Sequence, residues 1–216
     1  MAEIAEYRGC ENLVYAEVLE DSVGAFTTGQ VKPLAGLAEV GVTFEQSSET
    51  KYYDNSPAIV IKGVGAETRT FTIDHLPLAV LAELTGQKVD NNTGAIIGGG
   101  DGVKNKYFAV GYITEVTSGV KTYKWALKGS FAIPDESVAT KNGGTDSTNT
   151  SLVYTGIATT HKFDNGGRAT YVAVEDKTND GMYRVMTGWF DEVQTPDTLI
   201  NFTELKSDLE NDLPED

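Results

Sequence analysis

His75 and His161 are the chain's two histidines, and 86 residues separate them. A metal centre needs ligands clustered at short, recurring spacings, which these two do not offer. Neither is expected to serve as a metal ligand or a catalytic base. His75 sits just before a helix-like segment, where it is expected to pack or cap. Cys10 is the sole cysteine, so an intramolecular disulfide and a multi-cysteine metal site are excluded. It carries no sequence signal of a nucleophile and reads as an incidental thiol. The glycine run at residues 98–102 invites a phosphate-loop reading, but Lys104 is followed by Asn105 rather than Ser or Thr, and a strand-like segment follows. No Gly-x-Ser-x-Gly elbow is present. Carboxylates are plentiful, yet no acid pair can be nominated for glycosidase chemistry. The Asn-x-Ser/Thr matches at Asn91, Asn149 and Asn201 read as chance in a Thr- and Asn-rich chain. The expectation is therefore no catalytic residue, no cofactor site, no metal site and no enzyme.

Charge points the same way. The 216 residues carry 32 acidic and 17 basic side chains, a formal charge of −15. Neutralising nucleic-acid phosphates needs clustered Lys and Arg, so general affinity for DNA or RNA is not expected, nor is binding to an anionic membrane. Residues 191–216 hold nine acids and one base, Lys206, a net charge of −8. No run of about 18 apolar residues is present, so no transmembrane helix is expected. The acidic N-terminus lacks an apolar stretch, and a cleavable secretory signal is not expected.

The elements read as β structure. Threonine, valine and tyrosine are abundant beside 23 glycines, a composition of strands and turns. Residues 13–19 read as a strand, 38–45 alternate strictly, 58–62 are short and apolar, and 67–73 interleave Thr with apolar residues. Residues 46–57 read as a polar loop. Residues 77–85 read as one short helix, with Pro77 at its first position, Gly86 ending it, and Leu78, Leu81 and Leu84 on one face. So short a helix must pack on a sheet. Residues 107–116 and 121–129 form a clear hairpin across Ser118-Gly119, with Tyr123, Trp125 and Leu127 on one face. Residues 140–151 read as a polar loop, and 152–158 resume β structure. Residues 169–175 and 182–190 read as a second hairpin across 179–181. The expected fold is mainly β, a sandwich or barrel with one helix packed on the sheet, comprising a single domain over 1–190 and an acidic segment over 191–216.

The order of these pieces resembles the major tail protein, or tail tube protein, of long-tailed phages of Gram-positive bacteria. The matching residues are Glu49-Thr50-Lys51-Tyr52-Tyr53-Asp54, then Asp74-His75-Leu76-Pro77, then Leu84-Thr85-Gly86. A second stretch is similar: Tyr107-Phe108-Ala109-Val110-Gly111-Tyr112, then Tyr123-Lys124-Trp125-Ala126-Leu127-Lys128-Gly129-Ser130-Phe131 and Pro134. The resemblance covers roughly residues 10–190. The 140–151 loop matches loosely, and 191–216 takes no part.

The resemblance implies a structural virion protein in the phage tail, assembled in the host cytoplasm. Its copies would form hexameric rings that stack into a tube, with DNA only as passing cargo. Tape-measure, tail terminator and distal tail proteins would be its partners, and no membrane would be involved. Thr50, Lys51, Tyr52, Tyr53, Asp54 and Asn55 are the candidate inter-subunit contacts, expected to order when the next ring arrives. Acidic charge suits a conduit that must not hold its cargo. Two other readings remain open: a tube protein of a contractile injection device, and a soluble β-sandwich binding module, for example for carbohydrate.

Overall fold

The computed structural model describes residues 4–90, 92–98, 104–135, 148–178 and 183–199. Eleven strands and one named helix follow in chain order: β1 (Tyr7–Asp21), β2 (Phe26–Thr28), β3 (Lys32–Ala35), β4 (Leu37–Tyr53), β5 (Ser56–Ile73), α1 (Leu78–Thr85), β6 (Lys88–Val89), β7 (Ile96–Ile97), β8 (Phe108–Val116), β9 (Lys121–Phe131), β10 (Thr150–Gly156) and β11 (Tyr171–Glu175). Hydrogen bonds join nine of the strands into one antiparallel sheet, β2-β1-β8-β9-β10-β5-β4, with β3 also on β1 and β11 also on β9. The expected mainly-β architecture with one short helix on the sheet is what the chain adopts.

Alternation explains how one sheet makes two cores. Successive side chains on a strand point to opposite faces. From β1, Leu13 and Tyr15 go to one face and Val14 and Ala16 to the other. From β8, Phe108, Val110 and Tyr112 join the first face and Ala109 the second, while β9 sends Ala126 to the first and Trp125 and Leu127 to the second. Leu76 and Leu84, with half-buried Val80 and Leu81, cover the first face. Phe163, Trp189 and Val193 cover the second. The sheet curls so that β4, at one end of the strand order, comes alongside β1 near the other.

The helix differs in detail from its expected form. Pro77 is its N-cap, with ψ of 141°, and Gly86 closes it at φ 66°. Leu78 stays 61% exposed, whereas Ala82, Leu84 and Thr85 are buried. The reason lies in the cap: the non-helical Pro77 fixes the entry of the first turn and leaves Leu78 on the outer side. His75 is exposed, and Asp74 does the tying there, accepting N–H bonds from Gly36 and His75.

One further expectation is corrected. The second hairpin has one arm only. β11 pairs with β9, and residues 183–190 contribute an isolated bridge at Tyr183 followed by turns. Gly188 at φ 81° turns the chain so that Trp189, 1% exposed, enters the second core. The acidic stretch beginning at 191 also starts within the folded body, since Val193 and Gln194 are buried and Leu199 packs on the second core. Most of the 98–102 glycine run and of the 140–151 loop, and all of 200–216, lie outside the described residues.

A clamp holds this second face to β1. Lys128 Nζ lies 2.6 Å from Asp21 Oδ2, with side chains 11% and 5% exposed. Asp21 also accepts the N–H groups of Thr160 and His161. Burial alone would raise the Asp21 pKa, but Lys128 and these N–H groups overcome it and hold the carboxyl below the usual aspartate value. Asp21→Ala leaves the Lys128 charge without its partner and is expected to cost about 3 kcal/mol. A depressed carboxyl stabilises the fold above its unfolded pKa, and that stability is lost as pH falls through the folded pKa. The difference between wild type and variant in chemical denaturation should therefore shrink below about pH 4.

Candidate interaction site

The six candidate contact residues occupy the end of a ribbon rather than a loop. β4 and β5 pair from Leu37↔Ile73 to Tyr53↔Ser56, with register shifts between Leu37 and Glu39, Phe44 and Gln46, and Lys51 and Tyr52. Thr50, Lys51, Tyr52 and Tyr53 are the last residues of β4, and Asp54 and Asn55 form the turn. Both turn residues have positive φ, 49° and 61°, as a tight two-residue hairpin of matching twist requires. The expected polar loop over 46–57 is thus two strands and a turn, because Thr and Tyr favour extended backbone. No alternation marks it, since neither face is buried.

β10 supports β5 only as far as Glu67, opposite Gly156. Beyond that pair no other strand joins the two among the described residues. The eight residues from Gln46 to Tyr53 span about 26 Å. β4 also ends the strand order, so one row of its backbone N–H and C=O groups has no strand hydrogen-bonded to it among the described residues.

The ribbon is apolar where water would favour polar residues. Ile59, Val60 and Ile61 are 51%, 54% and 51% exposed, and Tyr52 and Tyr53 are 66% and 61% exposed. Directly paired residues share a face. Ile59 opposite Lys51 and Ile61 opposite Glu49 therefore lie on one face, and Val60 opposite Thr50 on the other. Lys51 and Glu49 pair with each other, Nζ to Oε1, at 2.5 Å. Both faces thus carry apolar surface ringed by polar groups. An isolated two-stranded ribbon is marginal in water, so this surface calls for a partner. The exposure of Ile59–Ile61 was not legible, since an apolar triplet reads as core.

The ribbon's root is firm. Phe44, opposite Glu67, packs against Tyr171 with ring centroids 5.9 Å apart and the planes tilted by 50°. Below it Arg69 donates to Glu67 through Nε and Nη2, at 3.0 and 2.9 Å, and the two side chains are 2% and 0% exposed. Arg69 also donates to the Tyr112 hydroxyl. Burial pushes the Glu67 carboxyl above its usual value, with Arg69 opposing. The glycine at 156 makes room for it: a Cβ there would meet Glu67 Cγ at 2.7 Å.

The remaining candidates for chemistry lie apart. The His161 ring packs edge-on against Phe163 at 5.0 Å. Burial and the nearby Glu39 raise the Cys10 pKa, favouring the thiol over the nucleophilic thiolate. Among the described residues, no group of three or more His, Cys, Asp or Glu side chains could hold a metal ion, and no helix is long and apolar enough to cross a membrane. No protein-family model matches the chain, and no curated protein matches its sequence.

Proposed function

We propose that this protein is a self-assembling tube subunit, the major tail tube protein of a long-tailed phage. The observation that carries the reading is the β4–β5 ribbon, an extension about 26 Å long with exposed apolar residues on both faces. Such a surface gains stability by burial against another chain, and a neighbour's ribbon or sheet edge is a matching partner. A head-to-tail contact that closes makes a ring, and a separate contact along the axis stacks rings into a tube. The mainly-β fold with one helix and the order of sequence motifs support the same reading.

In this reading six subunits form each ring, a tape-measure protein sets tube length, and terminator and distal tail proteins cap the ends. DNA passes through without being held, and the subunit performs no catalysis. The formal charge of −15 per chain suits such a conduit, and it makes association sensitive to salt.

Negative-stain electron microscopy of the purified protein tests the proposal, dilute and then concentrated, with and without co-expressed tape-measure protein. Rings or hollow tubes of uniform width are expected, forming more readily as ionic strength rises. Monodisperse single particles in every condition would overturn the reading.

A further inference from the structure

The curl of the sheet leaves a seam where β4 lies beside the start of β1 without pairing to it. A cleft of about 510 Å³ occupies that seam, within the size range of small-molecule sites. Val40 and Val42 line one wall, and Tyr7 and Tyr112 contribute rings. Lys124 of β9 and Thr114 of β8 also line it.

Lys124 is half-buried between aromatic rings, its Nζ 5.7 Å from the ring centroids of both Tyr7 and Tyr112. No carboxylate pairs with it among the described residues. Burial, and repulsion from Arg69, lower its pKa, as befits an ammonium group lacking a counter-charge. Thr114 is 6% exposed, and its Oγ1 has no hydrogen-bond partner among the described residues. That oxygen is itself shielded from solvent, so it is no contact for a ligand in the cleft. Glu39 also lines the cleft, and no ion pair joins it to Lys124 among the described residues. Arg8, which lines it too, faces Glu115 at 3.9 Å. The cleft thus carries an ammonium group without a counter-charge at its Lys124 end and apolar side chains along its length.

We infer that this cleft binds a small monocarboxylate with an apolar body, its carboxylate on Lys124 Nζ and its body against Val40, Val42 and the Tyr7 ring. The inference does not depend on tube assembly. A carboxylate would supply the counter-charge that Lys124 lacks, which a neutral ligand would not.

Calorimetric titration of the full chain with 3-phenylpropionate, and with 3-phenylpropanamide as its neutral analogue, tests it. The acid is expected to bind saturably, one per chain, and the amide at least tenfold more weakly. Lys124→Met should weaken the acid at least tenfold and leave the amide unchanged. Absence of saturable binding at millimolar acid, equal affinity for acid and amide, or an unchanged Lys124→Met variant would each overturn the inference. The acid-versus-amide comparison on wild type stands even where a variant fails to fold.

Discussion

Replacing residues 47–63 by an Asn-Gly turn between Gln46 and Val64 is expected to give a folded chain that no longer assembles. Those two positions are a cross-strand pair, so a two-residue turn can close the shortened ribbon in register. None of the removed residues is buried. Stability should therefore change by no more than about 0.5 kcal/mol, a shift in melting temperature of about 2 °C. The same deletion removes Ile59, Val60, Ile61, Tyr52 and Tyr53, the apolar surface assigned to subunit contact. Sedimentation and electron microscopy should find single subunits under conditions where the full chain forms tubes. Point variants then separate the faces. Ile59→Lys with Ile61→Lys charges one face, and Val60→Lys charges the other. Loss of tubes in both would mean both faces are covered in the assembly. Tubes from the shortened chain, indistinguishable from those of the full chain, would remove the ribbon from the interface.

The sequence made some of this ribbon legible and hid the rest for a physical reason. Alternation reports burial of one face, so Ala38–Glu45 and Glu67–Ile73 were readable as strands, because their inner residues meet the core. Between them both faces lie in solvent, and the polar composition of 46–57 resembles a loop. The informative signal was instead the Asp54-Asn55 pair, whose residue types accept positive φ, set between Tyr52-Tyr53 and the β-branched run Ile59-Val60-Ile61. The second hairpin failed for the opposite reason. Trp189 looked like a strand residue by type, yet it is a turn residue that plugs the core laid open by Trp125 and Leu127. The six candidate contacts were identified through resemblance alone, and they sit together at the tip. The Lys124 cleft could not be foreseen, since it arises from the curl that brings β4 to β1, a contact between strands remote in the sheet order.

Arg69→Met should be the most damaging single substitution in the fold, costing about 3–5 kcal/mol at pH 7. It leaves Glu67, fully buried, with no cation beside it, and strips the Tyr112 hydroxyl of its donor. The sign of the pH dependence follows from the carboxyl. Burial already holds the Glu67 pKa above its usual value, and Arg69 opposes that rise. Without Arg69 the folded state binds a proton at Glu67 more tightly still. A carboxyl whose folded pKa is raised contributes most below its unfolded pKa, and stability falls as pH rises through the raised value. The deficit should therefore be smaller at pH 5 than at pH 7 in urea denaturation. Replacing both partners, Glu67→Leu with Arg69→Met, should recover most of the loss, because the apolar pair carries no stranded charge. The pair lies directly beneath the ribbon's root, where Phe44 faces Glu67 and Arg69 sits 5.8 Å from the Tyr171 ring. The single variant should thus free the ribbon's base and weaken assembly at protein concentrations where the chain is still folded, whereas the double variant should assemble. A deficit under about 1 kcal/mol at pH 7, or one that grows toward pH 5, would show that the pair does not anchor the root.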